Sequence, residues 1–110
     1  MKTYCLALDL KNDKDLIQEY EAYHKKVWPE IFASIKDSGI ISMKIHRTGN
    51  RLFMIINAND DFSFEKKGEM DRSNPKVLEW ELLMDRFQQR LPWADPTVKW
   101  VLMDEIFSLD

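Results

Sequence analysis

Tyr20 and His24 stand one helical turn apart in the segment Glu19-Tyr20-Glu21-Ala22-Tyr23-His24-Lys25-Lys26-Val27-Trp28-Pro29-Glu30. Ile17, Tyr20, His24 and Val27 recur at three- and four-residue intervals, which turns their side chains toward one face of a helix and a packed surface. Two of these four carry groups that handle protons. An unperturbed histidine titrates at about pH 6.5, so His24 suits general acid/base work near neutrality. A histidine on an apolar helix face can equally be a packed core residue bonded to backbone. Tyr20 sharpens the question, because buried polar groups need hydrogen-bond partners. A polyhydroxylated ligand such as a sugar would supply them.

Other chemistry-bearing residues are sparser. Trp80 lies on the apolar stripe of a later helical pattern, where it can stack on a ligand or simply pack. Trp28 beside Pro29 reads as packing at a kink, and Trp93 lies in a proline-flanked loop as a lid or an anchor. Cys5 is the only cysteine, which rules out an intrachain disulfide and a thiolate zinc cluster. Its apolar strand favours an inert thiol over a nucleophile. His46 has no second histidine or cysteine near it in sequence, and Gly49 and Gly68 fit no phosphate-binding loop. No metal site and no cofactor are expected.

Composition narrows the partners. The chain of 110 residues is read as one domain, 1–110, long enough to bury roughly two thirds of its unfolded surface. A net charge of −3 without a clustered basic stripe argues against nucleic acid. Apolar runs such as Leu52 to Ile56 fall far short of the ~20 residues of a membrane span. No signal peptide is expected, since the opening residues run directly into a strand pattern, and a reducing cytoplasm suits the lone cysteine.

The elements that must position Tyr20 and His24 follow from periodicity and punctuation. Residues 3 to 10 alternate as a strand, with Tyr4, Leu6, Leu8 and Leu10 on one face and Cys5 and Ala7 on the other. Asn12 or Asp13 caps the helix that carries Tyr20 and His24 to about Lys26. Pro29 forces a break near Trp28, after which Ile31, Phe32 and Ile35 continue helically until Gly39. Ile40 to Arg47 and Arg51 to Ala58 form a hairpin around Thr48-Gly49-Asn50. Phe62 to Met70 is expected as a loop with some helical turn. Asn74 caps and Pro75 begins a further helix, on which Val77, Trp80, Leu83, Met84 and Phe87 make the apolar stripe. Val98 to Phe107 is expected as the last strand. The order β-α-β-β-α-β is the split βαβ arrangement of an α+β, ferredoxin-like fold. Helices cover one face of such a sheet, yet strands one and three are apolar on both. A homodimer packed through the uncovered face, a dimeric α/β barrel with the last strand at the contact, answers that mismatch.

The segment Glu19-Tyr20-x-x-x-His24-x-x-x-Trp28-Pro29-Glu30 resembles the signature of the L-rhamnose mutarotase family. Asn50-x-Leu52-Phe53, Trp80 and Glu105-Ile106-Phe107-x-Leu109 match it in order. The resemblance implies a dimeric, cofactor-free isomerase that interconverts the anomers of a 6-deoxyhexose, with a monosaccharide as its small-molecule partner. It places His24 at the acid/base position and Tyr20 and Trp80 at substrate contacts. Two departures bear on specificity: Met43 stands near a tyrosine of the family, and Glu81 replaces the second of two tryptophans. These two positions are therefore read as substrate-facing, and L-fucose joins L-rhamnose as a candidate. A cofactor-free monooxygenase and a noncatalytic metabolite-binding dimer are the competing readings, since one fold hosts many functions.

Overall fold

A computed structural model describes residues 1–110. The central strand is β1 (Lys2–Leu10), which runs antiparallel to β3 (Arg51–Ala58) with Lys2 opposite Ala58 and Asp9 opposite Arg51. On the outer side of β3 lies β2 (Ile40–Thr48), also antiparallel, with an irregularity between Ile40 and Ser42. The other edge of β1 receives two short strands, β4 (Gln88–Gln89) at Asp9 and Leu10, and β5 (Val101–Leu102) at Leu6 and Ala7. The order β2-β3-β1-β4 is the antiparallel sheet of the ferredoxin-like fold.

Local signals set the helix boundaries. Asp13 accepts from the backbone amides of Asp15 and Leu16 and so begins α1 (Lys14–Lys25). Pro29 starts α2 (Pro29–Asp37) as a separate helix after the break at Trp28, as its missing amide hydrogen requires. Gly39 follows with φ 99°, a conformation costly for any side-chain-bearing residue. In the hairpin, Gly49 takes φ 57° and Thr48 pairs with Arg51, the glycine-first pattern of a tight two-residue turn. Asn74 caps α4 (Pro75–Asp85), with Pro75 in its first turn.

The structure corrects the sequence reading in three places, the smallest being that α4 ends at Asp85, so Phe87 packs from the turn after it rather than from the helical stripe. Residues 62–70 do not form a loop with a stray turn; Phe64–Arg72 is a full helix, α3, capped by the Ser63 hydroxyl on the Lys66 amide. None of its residues is buried, so hydrophobic periodicity had nothing to report. The long final strand is absent as well. Val101–Leu102 pairs with β1 at Leu6 and Ala7, Gln88–Gln89 holds the places opposite Asp9 and Leu10 that the start of the expected strand would have taken, and after the Met103 amide, which donates to the Cys5 carbonyl at 2.8 Å, the chain forms no further strand.

Two adjoining clusters fill the space between sheet and helices. Leu10, Tyr20, Ile31, Leu52, Val77, Trp80, Met84 and Phe87 make the first, and Leu6, Ile40, Met54, Ile56, Ala58 and Phe62 the second. Burying each large aliphatic or aromatic side chain contributes roughly 1.5–3 kcal/mol, so the first cluster holds α1 and α4 firmly against the sheet. The opposite sheet face carries Cys5, Ala7, Phe53 and Ile55, all only half-buried. At its margin buried Asp9 accepts two bonds from Arg51, at 2.7 and 3.1 Å, and the Trp93 ring lies 5.0 Å from that guanidinium. No helix is long and apolar enough to cross a membrane.

Candidate active site

An open cleft of about 450 Å³ separates α1 from the hairpin. Tyr20, Glu21, His24 and Lys25 form one wall, a helix edge repeating at i, i+1, i+4 and i+5. Ile45, His46, Arg47 and Leu52 form the other. Arg47 reaches across to the Glu21 carboxylate and also donates to the Gly49 carbonyl at 2.7 Å, pinning the hairpin tip beside α1. The volume falls within the range of small-molecule sites, which start near 300 Å³.

His24 is half-buried, and its Nδ1 lies 2.8 Å from the Tyr20 backbone carbonyl. A carbonyl only accepts, so Nδ1 carries the proton and Nε2 keeps a free lone pair in the neutral ring. Burial lowers the His24 pKa below its usual 6.5, and the bond to Tyr20 opposes that only partly. The ring is therefore neutral at pH 7 and fixed in one tautomer, the state a general base needs.

Tyr20 is 3% exposed, and its ring centroid is 4.3 Å from that of His24. Its phenol is pushed up to about 12, chiefly by burial; the nearby Gln88 side chain acts the other way, and the Glu81 charge adds to the rise. Tyr20 thus keeps its proton throughout the physiological range and has it available to donate. Gln88 is 6% exposed and its Oε1 has no hydrogen-bond partner.

The remaining sequence-predicted positions fall at varied distances from the cleft. Trp80 is buried behind His24, with centroids 5.7 Å apart and the rings edge to face, and it packs against Trp28 at 5.1 Å. It supports the imidazole from the core side and does not border the cleft. Met43 packs against the second cluster, two residues along β2 from Ile45. Glu81 is exposed and bonds Lys99 at 2.8 Å, a lysine that Asp85 also holds at 2.7 Å. So Tyr20, His24 and Trp80 come together, while Met43 and Glu81 lie outside the cleft. Glu21, Arg47 and Gln88 went unnoticed in the sequence, and His46 was weighed there only as a metal ligand. The i+1 relation to Tyr20 pointed to Glu21, and alternation from Ile45 pointed to Arg47; Gln88 gave no signal because its strand is two residues long.

No group of three or more His, Cys, Asp or Glu side chains is placed to hold a metal ion. A family described as L-rhamnose mutarotase matches residues 3–109, nearly the whole chain. The chain belongs to the L-rhamnose mutarotase family. It is 40% identical over 111 residues to an L-fucose mutarotase of Xanthomonas campestris pv. campestris, covering 99% of this chain and 89% of that one. Among solved structures, the L-rhamnose mutarotase of Formosa agariphila superposes with a TM-score of 0.73 at 21% identity, covering both chains in full. A dimeric ferredoxin-like protein from an uncultured marine organism shares the fold at a TM-score of 0.55 and 12% identity, over 98% of this chain and 91% of that one. The enzyme is thus a sugar mutarotase, an isomerase, and family membership displaces the monooxygenase reading.

Proposed function

We propose that the enzyme exchanges the anomers of a 6-deoxyhexose, with His24 as the single acid/base group and L-fucose handled at least as well as L-rhamnose. The observation that carries the mechanism is the bond from His24 Nδ1 to the Tyr20 carbonyl, which leaves Nε2 free beside a phenol that keeps its proton. Nε2 takes the proton from the C1 hydroxyl, the bond from C1 to the ring oxygen breaks, and the imidazolium returns the proton to that oxygen. Both oxygens are attached to C1, so one imidazole serves both. Rotation about the C1–C2 bond and the same steps in reverse give the other anomer, with no net change in protons. Tyr20 donates a hydrogen bond to the ring oxygen while charge develops there, and Arg47 and Glu21 offer partners for the remaining hydroxyls.

Preference for L-fucose rests on the 40% identity to an L-fucose mutarotase rather than on direct contact from Met43 or Glu81. Met43 would act through Ile45, which packs against both core clusters and borders the cleft. Glu81 would act through its charge, which Tyr20 feels. A cytoplasmic setting fits the unpaired Cys5. Saturation-transfer NMR on anomeric protons of both sugars tests the reading. His24→Ala is expected to slow exchange by at least about 10²-fold. Equal rates in a folded variant return His24 to a packing role, and a strong preference for L-rhamnose removes the L-fucose assignment alone.

A further inference from the structure

We infer that Gln88 is a positioning residue for Tyr20, its buried carboxamide holding the phenol so that the hydroxyl proton faces the cleft. Register places it there. Gln88 is the cross-strand partner of Leu10, so both side chains rise from the same face of the sheet, the face on which Leu10, Tyr20 and Phe87 pack together. Phe87, the preceding residue, lies with its ring 6.1 Å from that of Tyr20.

A carboxamide brings two donors and an acceptor into this apolar layer, where a methionine of similar length would bury more comfortably. The Gln88 Oε1 without a partner is the trace of that cost. The Tyr20 hydroxyl is the polar group that α1 sends into the same cluster. When the amide N–H donates to the phenol oxygen, the phenolic O–H is left with the cleft side alone, while the carboxamide oxygen stays in the apolar layer. The Gln88 side chain also opposes the rise in the phenol's pKa, as a donor to that oxygen must. A cleft that used Tyr20 only as packing would gain nothing from this arrangement.

The catalytic consequence rests on the mutarotase mechanism proposed above, but the contact itself is read without any sugar. In wild-type enzyme carrying ring-labelled tyrosine, nuclear Overhauser contacts are expected between the Gln88 amide protons and the Tyr20 ring, the latter assigned by its loss in Tyr20→Phe. Gln88→Met should shift the Tyr20 Cζ resonance. With L-fucose it should lower kcat by about tenfold while KM moves by less than about threefold, as misorientation of a catalytic partner does. In the Tyr20→Phe background, Gln88→Met should change kcat no further. An unmoved Cζ resonance in folded Gln88→Met, missing amide-to-ring contacts, or losses that multiply in the double variant would overturn the inference. If the resonance shifts but neither sugar is exchanged by the wild type, the positioning contact stands and the mutarotase mechanism falls.

Discussion

His24 is useful because the helix that carries it also settles its tautomer. The carbonyl of Tyr20, one turn earlier, takes the Nδ1 proton, and burial against Trp80 and Tyr20 lowers the ring's affinity for a second one. In the proposed mechanism the neutral ring is the reactive form and is lost only when pH falls through the folded pKa, so the acid limb of kcat/KM should have its midpoint below the usual 6.5. Stability moves with it. Because the folded pKa is depressed, the unfolded chain binds this proton first as pH falls. The contribution is fully present above about pH 6.5 and shrinks toward the folded pKa. His24→Gln should flatten both profiles, as followed by exchange NMR and urea midpoints; an acid limb at or above the usual histidine value would contradict the assignment. Tyr20→Phe should slow exchange by roughly 10- to 10²-fold, at the low end of acid/base assistance, and leave the acid limb in place. The Tyr20 and His24 pair was legible because helical spacing is a property of neighbouring residues. Gln88 was not, since its place depends on which residue lies opposite across the sheet, and Arg47 showed its face by alternation but not its partner Glu21, which lies on another element.

Among the elements, those with sharp punctuation were read correctly and those without were not. Asp13, Pro29, Gly39 and Asn74-Pro75 each fix a helix end through a missing donor, a cap or a positive φ, and all of these boundaries hold in the structure. Helix α3 lacks a buried stripe and is held by Ser63 at its start and the Lys67–Asp71 pair along its length. Phe64, edge to face with Tyr4 of β1 at 4.9 Å, ties its first turn to the sheet. Ser63→Ala should cost about 1 kcal/mol, the usual value of a lost N-cap, and should speed amide hydrogen exchange in Phe64–Arg72 without altering anomer exchange. Slower anomer exchange in that variant would mean that α3 touches the site. The fourth edge position failed for a different reason. Gln88-Gln89 is polar and too short for alternation to register, yet it pairs with the end of β1 that the start of the expected last strand would have taken.

At the scale of the molecule, the apolar surface left over argues for a second copy of the chain. Cys5, Ala7, Phe53 and Ile55 are half-buried on the sheet face away from the helices, and beyond β5 the side chains of Ile106, Phe107 and Leu109 are exposed by 96%, 75% and 91%. Burying a side chain of this size contributes roughly 1.5–3 kcal/mol. Association costs on the order of 4–15 kcal/mol in lost freedom. The tail alone therefore falls near the break-even point, and the sheet face must supply the remainder of a lasting contact. Wild type at micromolar concentration is expected to sediment near twice 13.1 kDa. Ile55→Lys, which places a charge on the sheet face, and removal of residues 103–110 should each shift it to the single-chain mass, because neither surface suffices without the other. A wild type that sediments as one chain would end the dimer argument. A truncated chain that stays dimeric while Ile55→Lys dissociates would assign the contact to the sheet face and leave the tail without a part in it.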